Sequence, residues 1–456
     1  MPTNAPEKIK ETVADPKLQL AIYSATGRLM QKRADAVGGS HFPEYQDLRT
    51  QANALKKHTI ENLDYYLEQF ESMVQAHGGK VVYCQDADEV SNFVLGLAKE
   101  RGAQLIVKSK SMTTEEIDLN EHLEHHGLES VETDLGEYIL QLAHQRPYHI
   151  VAPALHMTRY QVADLFSEKL GVENEVVIEK QTMIARSVLR AKFLAADIGI
   201  TGANFLVADS GAVVLVENEG NARLSSSAPK IQIAVAGIEK LIPRAQDLPV
   251  FLKLLGRSAT GQELTVYTSF LSGPRRETEV DGPAEFYVVL LDNGRTKLLA
   301  DAEKRQSLYC IRCGACLNHC PVYRKIGGHS YPWIYSGPIG AIITPQFHGV
   351  SKDPWLPFAS SLCGACEEVC PVKIQIPKLL LALRRDVTQA KGGFEGFAFA
   401  AYGWIATHPK VYVLLGKLAA KLPRPKIGPL KGWLAQRELP PSPAKSFREL
   451  WRERSK

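Results

Sequence analysis

The sequence predicts an α/β fold in which a doubly wound, mainly parallel sheet carries helices on both faces. Between residues 80 and 295, short β-branched runs alternate with helical ones, which is typical of βαβ units. Strands are predicted at KVVYC (80–84), QLIVKS (104–109), YHIVAPA (148–154), VVIEK (176–180), IGITGANFLVAD (198–209), GAVVLVENE (211–219) and KIQIAVAGI (230–238). Helices are predicted at DADEVSNFVLGLAKERG (86–102) and TTEEIDLNEHLEHHG (113–127).

A helical region is predicted ahead of the sheet, over residues 1–80. Apolar side chains recur there at helical spacing, at Leu48, Leu55, Ile60, Leu63, Leu67 and Phe70. The segment His77-Gly78-Gly79 ends this pattern.

Composition and charge exclude several classes of protein. With 45% apolar and 23% charged residues the chain is not disordered, and a net charge of +4 does not favour a nucleic-acid partner. The longest uncharged run, 326–351, contains three prolines and five glycines, which excludes one continuous spanning helix. The N-terminus lacks the apolar core of a signal peptide. We therefore expect a cytoplasmic protein, either free or peripheral to the inner face of the membrane.

Ligands of a doubly wound sheet bind at the loops beyond the carboxyl ends of its strands. The loops expected there are 107–116, 201–205, 208–213 and 217–227. Candidate residues for handling a carboxylate or a proton are Lys108, Glu217 and Glu219, with Asn204 and Asn221 beside them. The alternative is that these loops are ordinary turns whose charged side chains are solvated or ion-paired. Neither a G-x-G-x-x-G nor a P-loop motif supports a nucleotide site.

Seven of the eight cysteines lie in two phrases, CIRCGACLNHCPV (310–322) and SSLCGACEEVCPV (360–372). The first follows the C-x2-C-x2-C-x3-C-P run of two-cluster ferredoxins, in which the fourth cysteine ligates the other cluster. Disulfides are disfavoured without an export signal, and zinc sites usually lack the third cysteine and the trailing proline. The sequence therefore predicts a ferredoxin-type iron–sulfur domain. Cys84, in an apolar strand, is expected to be a buried, unreactive thiol.

The ferredoxin rule assigns the ligands of two [4Fe-4S] clusters. Cluster one takes Cys310, Cys313, Cys316 and Cys370, and cluster two takes Cys320, Cys363 and Cys366. Ser360 stands where the second motif would have its remaining cysteine. Three alternatives remain open: a [3Fe-4S] cluster, a four-iron cluster whose last iron is bound by Ser360, Ser361 or solvent, and completion of the site by a partner.

The C-terminal residues 391–456 form a basic tail, with 13 Lys and Arg against four Asp and Glu. Two apolar helical stretches are predicted on either side of Pro409, followed by a Pro-rich linker at 423–433. A basic amphipathic segment suits a membrane surface or an acidic partner, and packing on its own body is the alternative. The domains expected are therefore 1–80 (helical), 81–298 (α/β), 299–390 (two-cluster iron–sulfur) and 391–456 (tail).

Several of these segments resemble the lactate utilization protein B family, and the resemblance covers nearly the whole chain. They are VKSKSMTTEEIDLN (107–120), DIGITGANFLVADSGAVVLVENEGNARL (197–224), DGPAEFYVVLLDNGR (281–295) and both cysteine phrases. The resemblance implies an α/β domain related to sugar-isomerase and CoA-transferase-like folds. It also implies two four-iron clusters, since family members share the seven-cysteine arrangement.

The resemblance implies a role as the iron–sulfur electron-transfer subunit of a three-part system that oxidises L-lactate to pyruvate. The expected partners are a cysteine-rich protein resembling heterodisulfide reductase subunits and a shorter protein made of the α/β domain alone. Because such clusters transfer single electrons, another centre must accept two electrons from lactate. The basic tail favours a membrane-side acceptor such as quinone. Two other hypotheses stay open: catalysis in the α/β domain itself, and a cluster-based redox sensor or scaffold.

Overall fold

The helical region predicted ahead of the sheet is confirmed. The computed structural model describes residues 5–391, 393–421 and 445–455. Residues up to Val387 belong to one compact unit and those from Thr388 on to a second. The first helices are α1 (Ala5–Ala14), α2 (Pro16–Val37), α3 (Tyr45–Glu61) and α4 (Leu63–Ala76). The Asp15 carboxylate caps α2 by accepting hydrogen bonds from two backbone N–H groups, and Pro16 occupies the first turn.

Ten strands follow in the described part of the first unit. They are β1 (Lys80–Cys84), β2 (Leu105–Lys108), β3 (Glu129–Glu132), β4 (Ile198–Thr201), β5 (Phe205–Val207), β6 (Ala212–Glu217), β7 (Ile231–Gly237), β8 (Leu241–Ile242), β9 (Tyr267–Leu271) and β10 (Glu285–Leu291). Six of them form one sheet in the order β1-β10-β7-β4-β2-β3, and every neighbouring pair is parallel. The predicted mainly parallel α/β fold is therefore confirmed.

Helices cover both faces of this sheet. They are α5 (Ala87–Glu100), α6 (Met112–Glu116), α7 (Leu119–His125), α8 (Leu135–Leu142), α9 (Arg159–Leu170), α10 (Ile178–Ala195), α11 (Asn221–Ser227), α12 (Leu248–Thr260) and α13 (Arg295–Ala300). Along β7, Ile233 and Val235 pack in the core that holds α5 and α7, whereas Ala234 and Ala236 pack in the core that holds α4. This alternation is expected where successive side chains point to opposite faces. Cys84 is buried, as predicted.

The remaining strands form a smaller mixed sheet that the sequence did not predict. Its order is β8-β5-β6-β9, with β5–β6 and β6–β9 antiparallel and β5–β8 parallel. The single strand predicted over 198–209 is therefore wrong, because β4 and β5 lie in different sheets. The chain turns between them at Asn204, whose side-chain oxygen accepts a hydrogen bond from the Val216 N–H at 2.8 Å.

Two other predicted strands are also wrong. The segment 148–154 is irregular, because the Tyr148 N–H donates to the Pro153 carbonyl at 2.9 Å and folds the segment back on itself. The segment 176–180 contains the start of α10, which begins at Ile178 and runs for 18 residues. A short apolar run does not by itself distinguish a strand from the first turn of a helix.

The cysteine phrases lie in the first unit among further helices, the last of which continues past Val387. These helices are α14 (Ala315–Asn318), α15 (Tyr323–Ile326), α16 (Gly337–His348), α17 (Ala365–Glu368) and α18 (Ile376–Lys391). Single 3-10 turns occur at Gly39–His41, Ile238–Lys240, Ala245–Asp247, Arg305–Tyr309, Gly328–Ser330 and Leu356–Phe358. Within the described ranges, none of the helices is both long and apolar enough to cross a bilayer.

The second unit contains the helices predicted on either side of Pro409. They are α19 (Gly393–Thr407) and α20 (Pro409–Lys421), and α21 (Phe447–Arg454) follows later. Several aromatic side chains on α19 are exposed, including Phe397, Phe399 and Trp404. The predicted Pro-rich linker, 423–433, lies outside the described residues.

Candidate metal centre and adjoining cavity

The two cysteine phrases fold into equivalent loops, which we call the first cysteine loop (residues 310–316) and the second (360–366). In the first, Arg312 and Gly314 have φ values of 60° and 74°, and in the second Leu362 and Gly364 have 55° and 86°. These left-handed residues turn the chain tightly, and a short helix starts directly after each glycine. The same backbone path thus occurs twice.

Ser360 occupies the position in the second loop that Cys310 has in the first. The Arg312 N–H donates to Cys310 Sγ at 3.4 Å, and the Leu362 N–H donates to Ser360 Oγ at 3.1 Å. The hydroxyl therefore takes the structural place of the thiol. This equivalence was inferred from spacing alone, and the backbone geometry now supports it.

Four thiols surround one small apolar cavity. Cys310, Cys313, Cys316 and Cys370, which we call the first thiol set, line it together with isoleucine and valine side chains. Burial raises the pKa of Cys316 well above its usual range, and the other three thiols raise it further. The Ile374 N–H donates to Cys370 Sγ at 3.3 Å, which is the kind of contact that tunes a cluster. Four sulfur donors around an apolar space fit a four-iron cluster.

The second thiol set, Cys320, Cys363 and Cys366, lies nearer the surface. Cys363 is exposed, whereas Cys320 and Cys366 are buried. Burial, Cys320 and Cys363 raise the pKa of Cys366 to about 12, so the three thiols influence one another. Within the described ranges no group of three or more His, Cys, Asp or Glu side chains is arranged around a single metal ion. A four-iron cluster spreads its ligands over separate irons.

A larger cavity of about 290 Å³, which we call the α/β cavity, lies at the carboxyl edge of the parallel sheet. It is lined by residues that follow β2 and β4 of that sheet and β6 of the smaller sheet, where the sequence predicted a ligand site. Four of the predicted candidates line it together: Asn204, Glu217, Glu219 and Asn221. Its wall also includes Arg312 and Cys313, so it adjoins the cavity of the first thiol set.

The carboxylates of this cavity are bound to backbone N–H groups. Glu217 accepts hydrogen bonds from Ala222 and Arg223 at 2.8 Å each, and thereby caps α11. Glu219 accepts from the Leu135 N–H at 3.2 Å. Burial raises the pKa of Glu219 to about 7, and the negative charge of the nearby Asp134 adds to this effect.

Lys108, the remaining candidate, does not line the α/β cavity. Its side chain is only 1% exposed, and its Nζ lies 2.5 Å from Glu132 and 2.9 Å from Glu115. The Thr114 hydroxyl accepts a third hydrogen bond at 2.9 Å. Lys108 is therefore an ion-paired structural residue, which was the alternative to a ligand-binding role.

Three cations that the sequence reasoning missed line the α/β cavity instead: Lys110, Lys240 and Arg312. Among the described residues, neither lysine has a hydrogen-bond or ion-pair partner. Burial and the neighbouring Arg312 lower the pKa of Lys240 to about 8. The rule that ligands bind beyond strand ends would have found Lys240, because it follows β7.

A buried charge network joins the sheet to the first cysteine loop. Arg295 lies 2.8 Å from Glu116 and 2.6 Å from Glu239, and all three side chains are almost fully buried. Arg312 lies 3.5 Å from Glu239 and stacks over the Tyr335 ring at 4.6 Å. Although burial raises the pKa of Glu239, Arg295 and Arg312 together lower it to about 2.

Comparisons with known proteins agree with this architecture. Residues 67–291 match the LUD domain, 306–374 the 4Fe-4S dicluster domain, and 385–456 the C-terminal domain of lactate utilisation protein B. Lactate utilization protein B of Bacillus velezensis is 45% identical over 99% of this chain and 97% of its own length. The chain belongs to the lactate utilization protein B family. The Bacillus subtilis protein of that name is 44% identical over 98% of this chain and 96% of its own length.

Family membership confirms the resemblance inferred from the sequence. The dicluster domain spans all seven cysteines of the two phrases, which indicates iron–sulfur clusters in this part of the chain. A crystal structure of a duf162 family protein from Deinococcus radiodurans aligns over 50% of this chain and 98% of that one. That alignment has 13% sequence identity and a TM-score of 0.30.

Proposed function

We propose that the chain is the iron–sulfur electron-transfer subunit of a system that oxidises L-lactate to pyruvate. The relatives named above are lactate utilization proteins, which supports a role in lactate utilization. The observation that carries the electron-transfer role is the arrangement of the thiols. Four of them line one apolar cavity, and three more lie beside it, nearer the surface.

In this proposal the first thiol set holds one [4Fe-4S] cluster and the second thiol set holds another. Ser360 supplies the fourth ligand of the second cluster, because its hydroxyl stands where the first loop has Cys310. When bound, such clusters carry single electrons. The protein's own contribution is to exclude water from the first site with apolar side chains and to leave the second site accessible through the exposed Cys363.

The position of the sites supports a relay. Cys313 lines both the α/β cavity and the cavity of the first thiol set. Cys366, of the second set, is close enough to Cys316 to raise its pKa. The order is therefore α/β cavity, first site, second site and surface, and a partner would exchange electrons at the last of these.

The proposal is tested by anaerobic purification, iron and sulfide analysis, and electron paramagnetic resonance with and without L-lactate and the two expected partners. About eight irons per chain, with reduced-cluster signals that require both lactate and partners, support the relay. Signals that never respond to lactate and partners refute it. Cys84→Ala is the matched control, because this buried thiol lies outside both sets.

A second candidate function is catalysis in the α/β domain itself. The observation that favours it is the α/β cavity, which brings four of the predicted polar residues together against the first cysteine loop. Reduction of the clusters by L-lactate with this chain alone would establish the second candidate. Reduction that requires a partner would rule it out.

A further inference from the structure

Two cations of the α/β cavity are incompletely satisfied by the protein's own groups. Lys240 has no hydrogen-bond or ion-pair partner among the described residues. Arg312 is only 8% exposed, yet its Nη1 atom is buried without a hydrogen-bond partner in the described part of the chain. Buried polar groups are nearly always satisfied, so a lysine without a partner and an arginine with an unsatisfied nitrogen at one cavity wall point to an absent anion.

The carboxylates nearby are already engaged and do not supply that anion. Glu239 lies 2.6 Å from Arg295 but 3.5 Å from Arg312, so its closest partner is the other arginine. Glu217, at the cavity wall, accepts two backbone N–H bonds at 2.8 Å. Lys110 and Lys240 therefore remain without a carboxylate partner at the cavity wall among the described residues.

We propose that the α/β cavity binds a small 2-hydroxy or 2-oxo carboxylate, with its carboxylate on Lys240 and Arg312. The anion site rests on Lys240, which has no partner among the described residues, and on the unsatisfied Nη1 of Arg312, and this ligand class rests on the proposed function. A charged pair of donors is the usual partner of a carboxylate, and arginine binds it with two parallel N–H groups.

Two amides in the same cavity suit the second polar group of such a ligand. The Asn204 oxygen accepts from the Val216 N–H at 2.8 Å, which leaves its NH₂ group to donate. The Asn221 NH₂ group points to the Thr133 hydroxyl at 3.5 Å, which leaves its oxygen to accept. A 2-oxo group needs only a hydrogen-bond donor, whereas a 2-hydroxy group can use both the donor and the acceptor. The volume of about 290 Å³ is at the lower end of small-molecule sites.

A competing role for these cations is to balance the charge of the first thiol set. Cys310 lies near both, since it influences the pKa of Lys240 and of Arg312. Lys56 separates the two roles, because it also lies near Cys310 but does not line the α/β cavity. If the two lysines only balanced charge, replacing either one would have the same effect. If Lys240 binds a ligand, only its replacement should weaken binding.

The test is anaerobic calorimetric titration of the iron-loaded full-length chain with L-lactate, pyruvate and inorganic phosphate. We expect one molecule of L-lactate or pyruvate per chain, a Kd raised at least about tenfold in Lys240→Met, and a near-normal Kd in Lys240→Arg. Lys56→Gln, which loses the charge but can still donate to the Glu239 and Leu241 carbonyls, should bind as the wild type does. Iron content and melting temperature of each variant show that it is folded and loaded.

Three results would overturn the proposal. They are no binding of either carboxylate to the wild type, binding that Lys240→Met leaves unchanged, and binding of phosphate alone. None of them touches the electron-transfer proposal, which is judged separately by cluster reduction in the presence of partners. A chain that relays electrons but binds no carboxylate would place the substrate in another subunit.

Discussion

Replacing Arg295 with methionine removes the cation that joins two buried carboxylates. The Arg295 side chain is 0% exposed, and its Nη1 and Nη2 atoms donate to Glu116 at 2.9 and 2.8 Å. Its Nε atom donates to Glu239 at 2.6 Å. Methionine has a similar volume, so the variant deletes the charge and the hydrogen bonds more than the packing.

The expected loss of stability is large. Breaking a buried ion pair by removing one partner costs about 3–5 kcal/mol, because a charge is left uncompensated. Glu116 keeps the Tyr335 hydroxyl at 2.7 Å and Glu239 keeps Arg312 at 3.5 Å, so the cost should stay near that of one pair rather than two. At roughly 2 °C per kcal/mol for a large domain, the melting temperature should fall by about 5–10 °C.

The assay is thermal unfolding by circular dichroism on anaerobic samples of equal iron content. Arg385→Met is the matched control, because its 2.5 Å ion pair with Glu303 is half-exposed and worth at most about 1 kcal/mol. The wild-type Glu239 contributes stability above its unfolded pKa of roughly 4.3, and this contribution is lost as the pH falls toward 2. The stability deficit of Arg295→Met should therefore shrink as the pH falls from about 4 toward 2. Equal melting temperatures for the two variants at pH 7 would refute the reasoning.

Three further predictions concern the cysteine loops and their surroundings. Cys313→Ala should lose about half of the iron and melt at a lower temperature, since ligation is coupled to folding, whereas Cys84→Ala should keep all of it by iron analysis. Ser360→Cys should leave the fold intact and give the second cluster four thiolates, and an unchanged resonance spectrum and iron content would contradict the assigned ligand position. Burial and Lys110 lower the pKa of His149 to about 3, so below pH 6.5 the unfolded chain binds a proton that the folded chain does not. The stability should fall by up to about 1.4 kcal/mol per pH unit from pH 6.5 to 4, and the melting temperature of His149→Asn should depend less on pH.

The parallel sheet was predictable because its strands are short β-branched runs separated by helical segments. The errors have a common physical cause, since a run of four to seven apolar residues is compatible with several structures. The run at 176–180 enters a helix because helix-forming residues continue to Ala195. The run at 148–154 is held in a loop by the His149 ring, whose Nδ1 accepts from the Val151 and Ala152 N–H groups. Such side-chain contacts produce no periodic pattern in the sequence, so they could not be predicted from it.

The candidate site also contains residues that the sequence could predict and residues that it could not. The cysteines inside each loop could be grouped from spacing, because each loop is a local structure of seven residues. Cys320 and Cys370 lie outside the loops and were assigned by the ferredoxin rule. The cations of the α/β cavity could not be grouped in this way, because Lys240 and Arg312 come from distant segments that only the tertiary structure brings together. Lys108 was chosen for its place at the end of β2, but β3 and α6 supply the carboxylates that bury it in ion pairs.

The location of Ser360 is itself an argument about function. A serine in place of a thiolate ligand would leave an iron poorly satisfied inside an apolar cavity, where no water could replace the missing ligand. The substitution occurs instead in the second loop, where Cys363 and Ser361 are exposed. The first thiol set has four cysteines in this chain, and the set that has only three is the one whose Cys363 is exposed. Under the proposed relay, the set with a serine in place of its fourth thiolate is the one from which electrons would pass to another protein. Ser360→Cys combined with partner-dependent reduction tests both ideas in one variant.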